Sequence, residues 1–145
     1  MPTIENRGTR IHYEVHGSGH PIVLIHGGTV SFQHNFADFG WIESLNDFGL
    51  QVIGLDLRGH GKSDKPHEIE SYGTANLASD VVAVLDQLSL TRASLVAYSI
   101  GTAVALHLLQ SSPERFDRAA LIATGDGLIG HPPHTFDNIL PAVLE

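Results

Sequence analysis

Four short, uninterrupted apolar runs set the limits on what this chain can fold into: Ile22-Val23-Leu24-Ile25, Val52-Ile53-Gly54-Leu55, Leu95-Val96-Ala97 and Ala119-Ala120-Leu121-Ile122-Ala123. A strand that is apolar at every position is buried on both faces, and such strands belong to parallel sheets covered by helices. The stretches between them predict those helices. One runs from about Asn35 to Phe48; a second from Thr74 to Leu88, with Leu77, Val81, Val84, Leu85 and Leu88 on one face; a third from Ile100 to Gln110, apolar nearly all round. Ahead of them Ile11, Tyr13 and Val15 alternate with polar neighbours as in a half-buried strand, and Gly17-Ser18-Gly19 closes it with a turn. Thr3 to Arg7 is expected to pair with that strand as a hairpin. The reading is an α/β fold in one domain over 1–145: an N-terminal hairpin, then a mostly parallel sheet with helices on both faces.

Composition narrows the partners. Only 8 Lys and Arg stand against 16 Asp and Glu, without a basic run, so nucleic acid is not expected to bind. Protonating all ten histidines carries the formal charge from −8 to +2, which predicts a sharp change in behaviour near the imidazole range. The absence of cysteine rules out disulfides and thiolate metal sites. The polar first ten residues do not read as a signal peptide. Ile100 to Leu109, the longest apolar stretch, falls well short of the roughly 20 residues of a membrane helix. No membrane association is expected, and a cytoplasmic location is the default.

Ala97-Tyr98-Ser99-Ile100-Gly101 carries the chemistry. A serine at the apex of a strand-to-helix turn stands clear of the sheet as an acyl-transfer nucleophile, and the amide of the next residue, Ile100, faces the developing oxyanion. Gly101 permits the close approach such a turn requires; Ala97 adds a methyl where glycine is more usual. Upstream, His26-Gly27-Gly28 follows a buried strand, where an amide near Gly28 or Thr29 would supply the second oxyanion donor. Asp56-Leu57-Arg58-Gly59-His60-Gly61-Lys62-Ser63-Asp64 follows the next one.

These three motifs, in this order and at these separations, resemble the α/β-hydrolase superfamily, and the resemblance covers the first part of that fold. It implies a truncated α/β-hydrolase domain, with 131–145 the start of a cap and without the late strands and histidine loop. It implies Ser99 as nucleophile, Ile100 and Gly28 as oxyanion donors, and Asp56, Arg58 and His60 as braces of the neighbouring loop. Serine at the nucleophile position fits esterase-like or C–C-cleaving acyl chemistry. Relatives that form an alkyl-aspartate, the dehalogenases and epoxide hydrolases, fit poorly.

A serine needs a base and an acid to orient it. Asp126 is the candidate acid, with a turn aspartate between glycines as the plainer reading. His131 and His134 keep the order serine, acid, histidine, while His26 and His60 read as structural. The chain is expected to be a homodimer or larger homo-oligomer, from an unpaired last strand and the apolar Ile139, Leu140, Val143 and Leu144. A second copy would bring its own His131 or His134 toward Ser99.

Nucleotide motifs fail on spacing. The position five before Gly61-Lys62-Ser63 is Asp56 instead of glycine, and Gly17-x-Gly19 continues to Ile22. His131-Pro132-Pro133-His134 and the trio His12, His16 and His20 read as surface histidines, so neither metal nor cofactor is expected. The expected activity is serine hydrolysis of a small ester or related acyl substrate. The alternative is a noncatalytic hydrolase-like half, kept as a fragment, a remnant or an assembly module.

Overall fold

In the computed structural model of the chain, which describes residues 1–125, six strands form one sheet in the order β1-β2-β4-β3-β5-β6. They are β1 (Thr3–Asn6), β2 (Thr9–His16), β3 (His20–Ile25), β4 (Leu50–Leu55), β5 (Ala93–Tyr98) and β6 (Phe116–Ile122). The hairpin β1–β2 is antiparallel and joins β4 antiparallel; β4, β3, β5 and β6 then run parallel to their neighbours. Asp126, His131, His134 and the apolar tail lie outside the described residues.

Strand alternation splits the apolar runs between two cores. Val23, Ile25, Ile53, Leu55, Leu95 and Ala97 face α3 (Thr74–Gln87) and α4 (Ile100–Ser111), where Leu77, Val81, Val84, Leu85, Val104 and Leu108 meet them. Ile22, Leu24, Val52 and Val96 face the opposite way, against Phe32 and Phe36. Each such fully buried side chain contributes about 1.5–3 kcal/mol of burial free energy. Helices therefore cover both faces of the sheet, as the continuous apolar runs require.

Two elements differ from expectation. The segment expected as one helix from Asn35 to Phe48 is α1 (Phe32–Asn35), a 3₁₀ turn (Ala37–Phe39) and α2 (Trp41–Asp47). Gly40 takes a left-handed φ of 75°, which breaks the run, and Ser31 starts α1 early by accepting the His34 N–H on its hydroxyl. The last strand starts at Phe116, before the expected Ala119, and ends at Ile122; Ala123 turns away with φ 56°. It is parallel to β5 as expected but is not buried on both faces. Ala119 and Ala120 are exposed, and β6 is one of the two edge strands among the described residues.

Candidate active site

Strand β5 ends at Tyr98 and α4 begins at Ile100, so the reversal between them rests on Ser99 alone, with φ 51° and ψ −117°. Such a backbone at a residue with a Cβ costs about 1–3 kcal/mol and persists only where its surroundings enforce it. Here they do. The Ser99 N–H donates to Ile122 O at 2.9 Å, and Ser99 O accepts from Thr102 N at 2.9 Å and Thr102 Oγ1 at 2.6 Å. Gly101 completes the turn: a Cβ there would stand 2.6 Å from Ile25 O and 2.7 Å from His26 O. Ala97, the unusual flank, is fully buried and pairs in register with Ile25 and Leu121. Its methyl is absorbed by the core facing α4.

Ile100 is the first residue of a twelve-residue helix. The first amides of a helix have no acceptor within it and carry its positive dipole end, so this position favours an anion.

The His26-Gly27-Gly28 loop packs directly on this elbow. A Cβ on Gly27 would stand 3.1 Å from Tyr98 Cδ1, 3.4 Å from Ser99 Cβ and 3.5 Å from Asn35 Oδ1, and one on Gly28 would touch the Ile100 side chain at 3.8 Å. Side chains hold the loop from both directions. His26 Nδ1 donates to Gly27 O at 2.6 Å, its Nε2 accepts from Leu57 N at 3.0 Å, and Asn35 Oδ1 accepts from Gly27 N at 2.8 Å. His26 is fully buried, and burial pushes its pKa down to about 4, so the imidazole is neutral with its proton on Nδ1. Thr29 follows with φ 62° and is exposed.

The loop after β4 is held to its neighbours through Asp56, Arg58 and His60, which the resemblance gave as braces. Asp56 accepts Phe32 N at 2.9 Å and Lys62 N at 2.8 Å, while Ser63 Oγ donates to Asp56 O at 2.6 Å. Arg58 makes a two-point pair with Asp80 on α3, Nε to Oδ2 and Nη2 to Oδ1 both at 2.7 Å, and donates from Nη1 to Ser71 O. Both partners are buried. His60 Nδ1 donates to Arg58 O, and its ring lies 5.1 Å from that of His26.

The His26-Gly27-Gly28 loop, Asp56 and Ser99 follow the carboxyl ends of β3, β4 and β5, where open α/β sheets place their ligand crevice. Among the described residues no histidine is hydrogen-bonded to Ser99, and both ring nitrogens of His26 are engaged. The candidate acid Asp126 and candidate bases His131 and His134 fall outside those residues. Sequence reasoning missed Asn35 and Asp80. An acid within the apolar face of the Thr74–Gln87 helix was a signal for Asp80; nothing local marked Asn35.

Among the described residues no group of three or more His, Asp or Glu is placed to hold a metal ion. His12 and His16 instead donate to the two oxygens of Glu14, at 3.0 and 3.1 Å, while His20 sits apart with Ser94 and Asp117. Among those residues no helix is long and apolar enough to cross a membrane. A cavity of about 330 Å³ between α3 and α4, beside Val82 and His107, contains none of the candidate residues.

Comparison with known proteins places this geometry in context. A family model for the alpha/beta hydrolase fold matches residues 20–145. The AB hydrolase superfamily protein YfhM of Bacillus subtilis is 34% identical over 145 residues, covering 95% of this chain and 46% of that protein. Among solved structures, an epoxide hydrolase from Vigna radiata superposes with a TM-score of 0.76 at 28% identity, covering 85% of this chain and 39% of that one. The structure titled "Est816 as an N-Acyl homoserine lactone degrading enzyme" gives a TM-score of 0.74 at 36% identity, over 96% of this chain and 52% of that one. The chain thus spans about half the length, or less, of these relatives.

Proposed function

Because the chain belongs to the α/β-hydrolase family, we propose that it supplies the nucleophile and oxyanion site of a serine hydrolase acting on a small ester or related acyl substrate. The observation that carries the reading is the backbone of Ser99, with φ 51° and ψ −117° at the head of α4 and the Gly27-Gly28 loop packed on it. The similarity to a protein described as degrading an acyl homoserine lactone supports it further, since a lactone is a cyclic ester.

In this reading the Ser99 hydroxyl attacks the carbonyl carbon while its proton passes to a base. The carbonyl oxygen gains charge against the N–H groups of Ile100 and Gly28, with Thr29 the neighbouring donor. The C–O bond then breaks, the leaving alcohol takes the proton, and water releases the acyl group from Ser99 by the same steps reversed. Asp126 with His131 or His134 would serve as acid and base. A serine protease that loses its base loses about 10⁶ in turnover and keeps roughly 10³ to 10⁴ over water, so that pair decides whether turnover is useful or residual.

The test is labelling with a fluorophosphonate, read by intact mass beside Ser99→Ala. One adduct that vanishes in the variant supports the reading. A folded chain that takes no label supports the alternative, a noncatalytic hydrolase-like half. Self-association belongs to the proposal through the exposed edge β6. Light scattering that finds only monomer at micromolar concentration removes that part.

A further inference from the structure

Beyond Ile25 the ladder that β3 makes with β4 and β5 stops, and the next amides must find other acceptors. Gly27 is buried, and an unpaired N–H there is costly. Its acceptor is Asn35 Oδ1 at 2.8 Å. Asn35 closes a four-residue helix whose one buried side chain is Phe32, so its own packing contributes little. What it does have is a fixed base: α1 is tethered at its start by Asp56, which accepts the Phe32 N–H, and by the Ser31 cap.

We propose that Asn35 is a positioning residue of the site, holding the Gly27-Gly28 loop against the Ser99 elbow by accepting the Gly27 N–H. The inference rests on the reading of Gly28 as an oxyanion donor and Ser99 as nucleophile. The geometry works through two planar units. His26 holds the Gly27 carbonyl at 2.6 Å, and because a trans peptide is flat, the Gly28 N–H of the same unit is turned away from that imidazole. Asn35 holds the preceding unit through the Gly27 N–H. With either bond gone, two consecutive glycines have the rotational freedom to swing the donor out of line. Asn35 Oδ1 and Ser99 Cβ both lie within 3.5 Å of where a Gly27 Cβ would stand, so this clamp is part of the wall of the site.

The experiment pairs site-resolved amide exchange by NMR with steady-state hydrolysis of a p-nitrophenyl ester. It compares the unaltered chain with Asn35→Ala, the nearly isosteric Asn35→Leu, and Asn35→Asp, which keeps an acceptor oxygen. Gly27 exchange is expected to accelerate tenfold or more in the Ala and Leu variants and to stay slow in Asn35→Asp. In the Ala and Leu variants kcat falls about tenfold with KM changed less than twofold, a smaller loss than the roughly 10² to 10³ of removing an oxyanion donor outright. Unchanged Gly27 exchange in both Ala and Leu variants overturns the proposal, as does faster exchange with unchanged kcat. If the unaltered chain takes no fluorophosphonate, the nucleophile reading fails by itself. The exchange arm then still decides whether Asn35 holds the loop, and Asn35→Leu keeps the test open if Asn35→Ala does not fold.

Discussion

Ser99 shows how a single residue is held in an unfavourable backbone from three directions, two by hydrogen bonds and one by close packing. Its N–H is held by the end of β6, its carbonyl by Thr102, and its neighbour Gly101 lies against the carbonyls of Ile25 and His26. Carbonyls of a strand end cannot swing aside as a flexible side chain can. Gly101→Ala is therefore expected to cost about 1–3 kcal/mol in urea unfolding, an overpacking penalty. It should also slow phosphonylation of Ser99, since relief of the contact must move the head of α4. An unchanged unfolding midpoint would contradict the close approach. The three motifs were legible in the sequence because each is a local solution: glycines where backbones meet, a serine at a turn, an aspartate ending a strand.

At the scale of elements, the Arg58–Asp80 pair joins the loop after β4 to the middle of α3, and Arg58 Nη1 extends the link to Ser71. With both groups buried, removing one leaves the other without its counter-charge. Asp80→Ala is expected to lose about 3–5 kcal/mol. Replacing both, Arg58→Met with Asp80→Leu, should recover part of that loss, because an apolar pair avoids the desolvation cost, while Asn6 Nδ2 loses one acceptor, Asp80 Oδ1, and keeps Ser79 Oγ. Chemical denaturation of the single and double variants measures the coupling, and purely additive losses would argue against a shared pair. Arg58 was visible in its motif, and Asp80 was marked as an acid on an apolar helix face, but that the two meet was not legible: they are brought together by how α3 packs on β1 and α4. The break of the expected Asn35–Phe48 helix had a local signal in Gly40, which apolar spacing alone overrides in a simple reading.

For the whole molecule, charge decides the response to acid. His26 has its native pKa lowered by burial to about 4, with Gly27 O and Asp56 opposing the shift and His60 adding to it. Between that value and the ordinary 6.5 the unfolded chain binds the proton and the native one does not, so stability falls as pH drops through this window and levels off below it. The size is on the order of 3 kcal/mol. Burial raises the Glu14 carboxyl, but bonds from His12, Lys62 and His16 outweigh it and leave the pKa below 4.5. Its contribution is present above 4.5 and is lost as pH falls through the native value. Urea midpoints measured across this range should therefore decline from near neutrality downward, and His26→Gln should flatten the upper part of the decline. A flat profile above pH 5 would contradict a buried neutral His26.

By itself the sequence determined the α/β class, the parallel run of strands and the three loops at their carboxyl ends, though not the exposure of β6, because hydrophobic periodicity and turn chemistry act over a few residues. Which distant side chains meet was decided only by tertiary structure. The packing of α3 sets Asp80 on Arg58, the placing of β6 beside β5 sets its end on Ser99, and the course of the connection from β3 to α1 sets Asn35 on Gly27. The pairs that cross elements depend on packing between segments separated in the chain, so a local pattern can mark a residue without naming its partner.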